Sequence, residues 1–294
     1  MHSERFVDPI GQMEVQRGGL VGLARASVAS AWLQYRTFRF YPSNLVLAVI
    51  QQLTTVGVWY FVSVFLSPGA DRVVIQYGGD YVAYMMVGVL LNQIGMAALS
   101  SPFNTVSEAF WDKRLETYRL SVQGIWANVI GRMVWQISFV SMIQGMVLAT
   151  FLIFGGFRLP QAAIGWAVLT MVLLVLADAG IGLAGASLFF LLEVKAGQDP
   201  ITWAYKYLIM IASGLYIPLT VLPPWLRGLG AILPQTYGLG AERLLLLTQH
   251  NLPGMPILLI HLLIATCLTM TIGSAMFGWA LARAERQGGV GVVV

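Results

Sequence analysis

The sequence predicts an all-α membrane protein, and three observations lead to that fold class. First, 57% of the 294 residues are hydrophobic, and the mean hydropathy is +0.74. Second, only 10% of the residues are charged, whereas a soluble globular domain carries roughly 25%. Third, several apolar runs reach the length of about 20 residues that a helix needs to cross a bilayer. These runs are too long and too continuously apolar for barrel strands, so we expect transmembrane helices.

The N-terminal region contains two different segments. Residues 1–17 are polar and predict a loosely ordered cytoplasmic tail. Residues 18–42 predict an amphipathic helix that lies in the membrane interface, because aromatic residues and arginines occupy different faces of it. The candidate interfacial residues are Arg25, Trp32, Arg36 and Arg39. A cleavable signal peptide is not expected, since Arg25 interrupts the first apolar stretch.

Six transmembrane spans follow by the length criterion. They are predicted at residues 44–66, 81–100, 129–154, 163–192, 201–220 and 256–281. With the N-terminus inside, only four of the 17 Lys and Arg residues lie outside the cell, namely Arg72, Arg158, Arg227 and Arg243. This bias follows the positive-inside rule and predicts that both termini are cytoplasmic. The transmembrane domain is therefore predicted at 43–283, with a second cytoplasmic tail at 284–294.

A charged segment, residues 105–124, separates the second predicted span from the third. Six charged residues fall between Glu108 and Arg119, so this segment must face water or another protein. Its apolar residues recur at helical spacing, and Thr105 with Glu108 matches a capping box at a helix start. The pattern predicts a short cytoplasmic helix that either docks in a groove of a partner or merely joins two spans.

Residues 221–249 are too apolar for an aqueous loop and too interrupted for a span. Pro223 and Pro224 begin the interruption, and Pro234 divides the remainder into two short pieces. We expect a re-entrant hairpin that dips into the outer leaflet and returns. Irregular backbone at that depth is tolerated where it is buried in protein or lines a cavity.

Asp178 is the only acidic residue deep in a predicted span. Inserting such a carboxylate costs on the order of 2.5–3.5 kcal/mol, so it should face the bundle interior. It either makes a structural hydrogen bond to a neighbouring span or attracts a cationic substrate, and Lys206 is a candidate partner. Amide side chains in the first three spans either bind helices together or line a pathway. The pathway candidates are Asn92, Gln93, Gln136, Gln144 and Asp178.

The order of these elements resembles that of type-2 ABC exporter permeases. The stretch EAFWDKRLETYRLSVQGIWANVIGR is similar to the first cytoplasmic loop of that family. The stretch SGLYIPLTVLPPWLRGLGAILPQTYGLGAERLLL resembles the family's proline-containing pattern before the last span. The first stretch departs from the family in having Ser121 and Val122 where Thr-Pro is commoner.

The resemblance implies one membrane-embedded half of an ATP-driven exporter in the inner membrane of a prokaryote. A second permease copy, identical or related, would complete the pathway, and separate ABC ATPase subunits would bind ATP and Mg. The sequence contains no GxxxxGK[ST] loop, so no cofactor is expected in this chain. We expect a transport subunit for lipophilic drug-like, lipid or lipid-linked substrates, with no enzyme activity, catalytic residue, metal site or nucleic-acid partner.

The resemblance also implies two sets of working residues. The ATPase-coupling candidates on the charged segment, which would act as a coupling helix, are Glu108, Phe110, Trp111, Lys113, Arg114, Leu115 and Glu116. The outer-gate candidates on the hairpin are Pro223, Pro224, Trp225, Pro234, Tyr237, Glu242 and Arg243. Glu242 and Arg243 are expected to pair with each other.

Two other classes of protein remain as alternatives. A secondary transporter or channel without an ATPase partner would need an internal repeat with matching broken helices, and only one broken segment is visible. An intramembrane enzyme would need a catalytic constellation, but the chain has three histidines and no HExxH motif. Its single cysteine, Cys267, also rules out an intrachain disulfide framework.

Overall fold

The computed structural model describes residues 19–40, 42–120, 124–154, 163–192, 199–248 and 254–286, and all regular structure in these ranges is helical. In chain order the α-helices are α1 (Leu20–Phe40), α2 (Pro42–Ala70), α3 (Tyr81–Trp111), α4 (Leu115–Leu120), α5 (Gly124–Phe154), α6 (Ile164–Leu191), α7 (Pro200–Ala212), α8 (Pro224–Gly230), α9 (Pro234–Leu247) and α10 (Met255–Arg286). The predicted tail at 1–17 and residues 287–294 of the second tail lie outside the described residues.

Five helices in the described ranges are long and apolar enough to cross a membrane, so the chain is a multi-pass membrane protein. They correspond to α2, α3, α5, α6 and α10. Their positions agree with the first, second, third, fourth and sixth predicted spans.

The predicted span at residues 201–220 is not one continuous helix. Helix α7 has 13 residues, about 20 Å at 1.5 Å per residue, which is too short for a hydrocarbon core of about 30 Å. It ends at Ser213, and Gly214 follows with a φ of 81°, a left-handed conformation that glycine adopts without a steric penalty. The prediction of a sixth helical span from this segment is therefore wrong within the described residues.

The predicted division of residues 221–249 into two pieces is confirmed for the part that the structure describes. Helix α8 begins at Pro224 and α9 begins at Pro234, so each has a proline in its first turn. Proline is well tolerated there because the first N–H groups of a helix have no partner within it. The depth of these helices in the membrane stays a prediction.

Helices α3 and α6 form the centre of the bundle, and α6 packs between α3 and α10. Glycines permit these contacts. A Cβ on Gly273 of α10 would overlap the carbonyl of Gly180 in α6, and a Cβ on Gly182 would overlap the carbonyl of Leu99 in α3. Small residues at such positions let membrane helices pack backbone to backbone.

The predicted interfacial segment 18–42 is found largely as the continuous helix α1, which packs along α5. At one end of this contact, the Ser30 hydroxyl donates to the Asn128 side chain at 3.1 Å. At the other end, the Phe38 ring lies against Trp135 and Phe139, with ring centroids 5.8 and 4.7 Å away. Helix α1 is therefore attached to the bundle over much of its length.

Candidate functional site

The charged segment does not begin a new helix at Thr105, so that prediction is wrong. Thr105 is buried in the interior of α3, and its hydroxyl donates to the carbonyl of Ser101 at 2.7 Å. A threonine inside a helix can bond to the carbonyl four residues earlier instead of capping a helix start. Helix α3 consequently carries the first part of the predicted coupling helix, including Glu108 and Phe110.

The end of α3 is a sharp turn that we call the charged corner, residues Trp111 to Arg114. Lys113 has a φ of 58°, and its N–H donates to the carbonyl of Phe110 at 3.0 Å. The N–H of Arg114 donates to the carbonyl of Ala109 at 2.8 Å. This pair of bonds defines a Schellman motif, in which a left-handed residue stops the helix. A lysine holds the position that glycine usually occupies, so the sequence carried no strong stop signal.

Four of the seven coupling candidates are exposed at this corner or shortly before it. Trp111 is 61% exposed, and the side chains of Glu108, Lys113 and Arg114 are exposed as well. Arg114 lies 3.4 Å from Asp112, an exposed ion pair that contributes little stability. The side chain of Glu116 and the predicted helix end at residues 121–124, apart from Gly124, lie outside the described residues.

Leu115 is not available as a docking residue, because it is only 6% exposed and belongs to the core of this chain. It packs in a cluster with buried residues of α3, α5, α6 and α10. Phe110 is half-buried and lies 5.4 Å from the ring of Phe189 in α6. Glu108 forms an ion pair with Arg132 of α5. The residues that flank the charged corner are therefore attached to α5 and α6 and belong to a core cluster that also includes α10.

Asp178 occupies a second polar site, inside the bundle. It is fully buried, and its carboxylate accepts hydrogen bonds from the Tyr205 hydroxyl at 3.2 Å and the Gln235 amide at 2.6 Å. Gly95 of α3 makes room for it, because a Cβ there would overlap the carboxylate. The expected structural hydrogen bond to a neighbouring element is confirmed, whereas the partners are Tyr205 and Gln235 rather than Lys206. The site links α6 to α7 and α9.

Arg243 forms a third polar site, where α7 ends. Its guanidinium donates to the carbonyls of Tyr84, Gly214 and Leu215 at 3.1, 2.8 and 2.7 Å. The Tyr84 hydroxyl donates to the same Gly214 carbonyl at 2.5 Å, and Tyr81 donates to the carbonyl of Tyr216 at 3.0 Å. The carbonyls of Gly214, Leu215 and Tyr216 follow the end of α7, and these side chains supply them with donors, which backbone away from water requires.

The predicted pairing of Glu242 with Arg243 is wrong. Arg243 uses all three guanidinium nitrogens on main-chain carbonyls, and Oε1 of the buried Glu242 has no hydrogen-bond partner. Adjacent residues of a helix point about 100° apart, so they rarely meet. These two residues of α9 therefore act separately.

The other outer-gate candidates divide by exposure. Pro223, Pro224 and Trp225 are exposed, whereas Pro234 is buried at the start of α9. Tyr237 is half-buried, and its ring stacks on His261 with centroids 5.0 Å apart. The seven candidates therefore do not share one exposed surface.

Two of the four amide candidates hold helices together. Gln52 of α2 accepts hydrogen bonds from Gln93 of α3 at 3.0 Å and from Gln144 of α5 at 2.8 Å. Gln136 is exposed, and Oδ1 of Asn92 is buried without a hydrogen-bond partner. Gln93 and Gln144 therefore support the helix-binding interpretation of the amides.

Several residues of these sites could not be predicted from the sequence, namely Tyr84, Tyr205 and Gln235. No sequence pattern around them distinguishes a buried hydrogen-bond donor from an ordinary residue of the core or of the membrane interface. The available signal was glycine, since Gly88 and Gly95 are seven residues apart on one face of α3 and make room for Arg243 and Asp178. Within the described ranges, no group of three or more His, Cys, Asp and Glu residues is placed to hold a metal ion.

Comparison of the chain with protein-family models found no match, and comparison with curated proteins found none either.

Proposed function

We propose that this chain is the membrane-spanning permease subunit of an ATP-driven exporter of the type-2 ABC class. In this proposal it moves lipophilic drug-like, lipid or lipid-linked substrates out of the cell, and a separate ATPase subunit supplies the energy. The observation that carries the proposal is the charged corner, where an exposed tryptophan and exposed charges are fixed to the transmembrane core.

The construction of this corner suits the transmission of force. Trp111 and Arg114 project from a tight turn, where apolar anchors and charges together define a docking surface. Leu115 and Phe110 attach the same turn to the packed core. A push on the corner would therefore move α3 and its neighbours as a unit instead of bending a loose loop.

The wide apolar surface of the chain supports a second permease copy as a partner. Only 6% of an 18-residue apolar stretch of α2 is buried within the chain, compared with 67% of the corresponding stretch of α3. Such a surface must be covered by lipid or by protein. A second copy, identical or related, would cover part of it and enclose a pathway between the two halves.

Purification of the tagged chain from its native membrane tests the proposal. We expect an ATP-hydrolysing subunit to co-purify, and we expect W111A/R114A to weaken its association at least tenfold, because apolar anchors and their charged neighbours dominate binding. The matched control is W166A, which removes another exposed tryptophan, at the start of α6. ATPase association that survives W111A/R114A, or transport without any ATPase, would contradict the proposal and favour a secondary transporter.

A further inference from the structure

Helix α1 carries a hollow on its exposed side that the transport proposal does not use. Trp32, Tyr35, Arg36, Arg39 and Phe40 line it, and its volume is about 420 Å³. All five side chains are exposed. The hollow lies close to the C-terminal end of α1.

The charge of the hollow is positive and is not balanced by its own helix. Arg36 and Arg39 are three residues apart, so they lie on neighbouring positions of one helical side. The segment from Leu20 to Phe40 contains no acidic residue. The ion pairs of the described residues lie elsewhere, at Arg114 with Asp112 and at Arg132 with Glu108. Two guanidinium groups side by side suit the oxygens of a phosphate, which they can contact with paired N–H donors.

The aromatic residues of the hollow indicate its depth. Phe40 is 79% exposed and Trp32 is 58% exposed, and the rings of Trp32 and Tyr35 are 5.2 Å apart. Tryptophan and tyrosine concentrate where a membrane meets water. Helix α2, which is long and apolar enough to span, begins at Pro42, and a single residue separates it from the end of α1. The hollow therefore lies where headgroups lie.

We propose that this hollow binds the headgroup of one anionic phospholipid, with Arg36 and Arg39 on the phosphate and Trp32, Tyr35 and Phe40 around the upper acyl chains. Basic residues next to a span attract anionic lipids. The proposal needs only that α2 crosses a membrane, so its success or failure is independent of the transport function.

Native mass spectrometry of the delipidated full chain, titrated with dioleoylphosphatidylglycerol, tests the site. We expect R36Q/R39Q to weaken the tightest lipid-binding event by roughly 30-fold, since each basic residue near a membrane surface contributes about 1 kcal/mol. The matched control is R72Q/R227Q, which removes the same charge from two exposed arginines that lie outside α1. We expect this control to bind as the wild type does.

Three further measurements identify the ligand and its place. Dioleoylphosphatidylcholine should bind the wild type more weakly than dioleoylphosphatidylglycerol does. Millimolar inorganic phosphate should not displace the bound lipid. Brominated phosphatidylglycerol should quench less fluorescence in W32F than in the wild type, because Trp32 lines the hollow. The proposal would be overturned if the two double variants bound lipid equally well, or if the wild type bound the two lipids equally well. Displacement of the lipid by phosphate, or unchanged quenching in W32F, would overturn it too.

Discussion

Arg243 shows how one buried side chain replaces the hydrogen bonds of a missing helical turn. It is 2% exposed, its guanidinium contacts three carbonyls, and it lies 3.5 Å from the centroid of the Tyr84 ring. Gly88 permits this position, because a Cβ there would overlap the guanidinium. A cation next to the carbonyl end of α7 also complements the helix dipole. The break in α7 and the buried arginine therefore stabilise each other.

We predict that R243M lowers the unfolding temperature in detergent by roughly 2–12 °C. The variant removes the donor to the Leu215 carbonyl, at a cost of about 1–3 kcal/mol, and about 1 kcal/mol corresponds to roughly 2–4 °C in a domain of 150–250 residues. R243K keeps the charge but loses the planar fork, so it should fall between R243M and the wild type.

Intrinsic tryptophan fluorescence during heating would measure these differences. R72Q serves as the control, because Arg72 is exposed and its replacement should change stability by less than about 0.5 kcal/mol. If R243M unfolds at the same temperature as R72Q, then Arg243 does not hold the end of α7.

Among the helices, the contact of α6 with α10 depends on the absence of side chains. Gly180 and Gly273 face each other so closely that any added Cβ would collide with main-chain atoms, which cannot move away as a flexible side chain can. Gly278, five residues later on α10, meets only the Trp126 ring, 3.9 Å from its would-be Cβ. Gly273 and Gly278 lie on the same helix and differ in how closely a neighbouring helix packs against them, so they can be compared directly.

We predict that G273A destabilises the chain by about 1–3 kcal/mol, the usual cost of overpacking a core. G278A should be neutral or slightly stabilising, because alanine is favoured over glycine inside a helix by roughly 0.5–1 kcal/mol. Thermal unfolding of both variants in the same detergent would measure the difference. Equal stability of G273A and G278A would show that α6 and α10 do not approach as closely as described.

Hydropathy was enough to predict the helices that span, because long apolar runs leave few alternatives. Helix α5 and helix α6 both lie within a few residues of their predicted positions. The helix junctions were harder. At residue 105 a matching capping pattern suggested a start, but α3 continues because the ladder of backbone hydrogen bonds is not interrupted before Trp111.

The break after α7 could not be found from local pattern alone, since its carbonyls are satisfied by Tyr84 and Arg243 from distant parts of the chain. The same limit applies to the polar sites. The burial of Asp178 follows from the cost of a carboxylate in lipid, whereas its partners depend on which helices pack together. Leu115 is buried, contrary to its prediction, for a related reason: the exposure of a residue in a charged segment depends on tertiary packing.

The whole molecule is a helical bundle from which the charged corner projects at one end of α3. In the proposed exporter this corner faces the cytoplasm and meets the ATPase, while the turn between α2 and α3 faces the opposite side. The predicted positions of the spans and the positive-inside bias of the Lys and Arg residues predict this orientation. Every further part of the transport proposal requires it.

Labelling of single cysteines in intact cells with a membrane-impermeant maleimide tests that orientation. In a Cys267→Ser background, which removes the exposed native thiol, Lys113→Cys should stay unlabelled in intact cells and become labelled in inverted vesicles. Arg72→Cys should show the reverse pattern. Labelling of Lys113→Cys in intact cells would place the charged corner outside the cell and contradict the proposed coupling to a cytoplasmic ATPase.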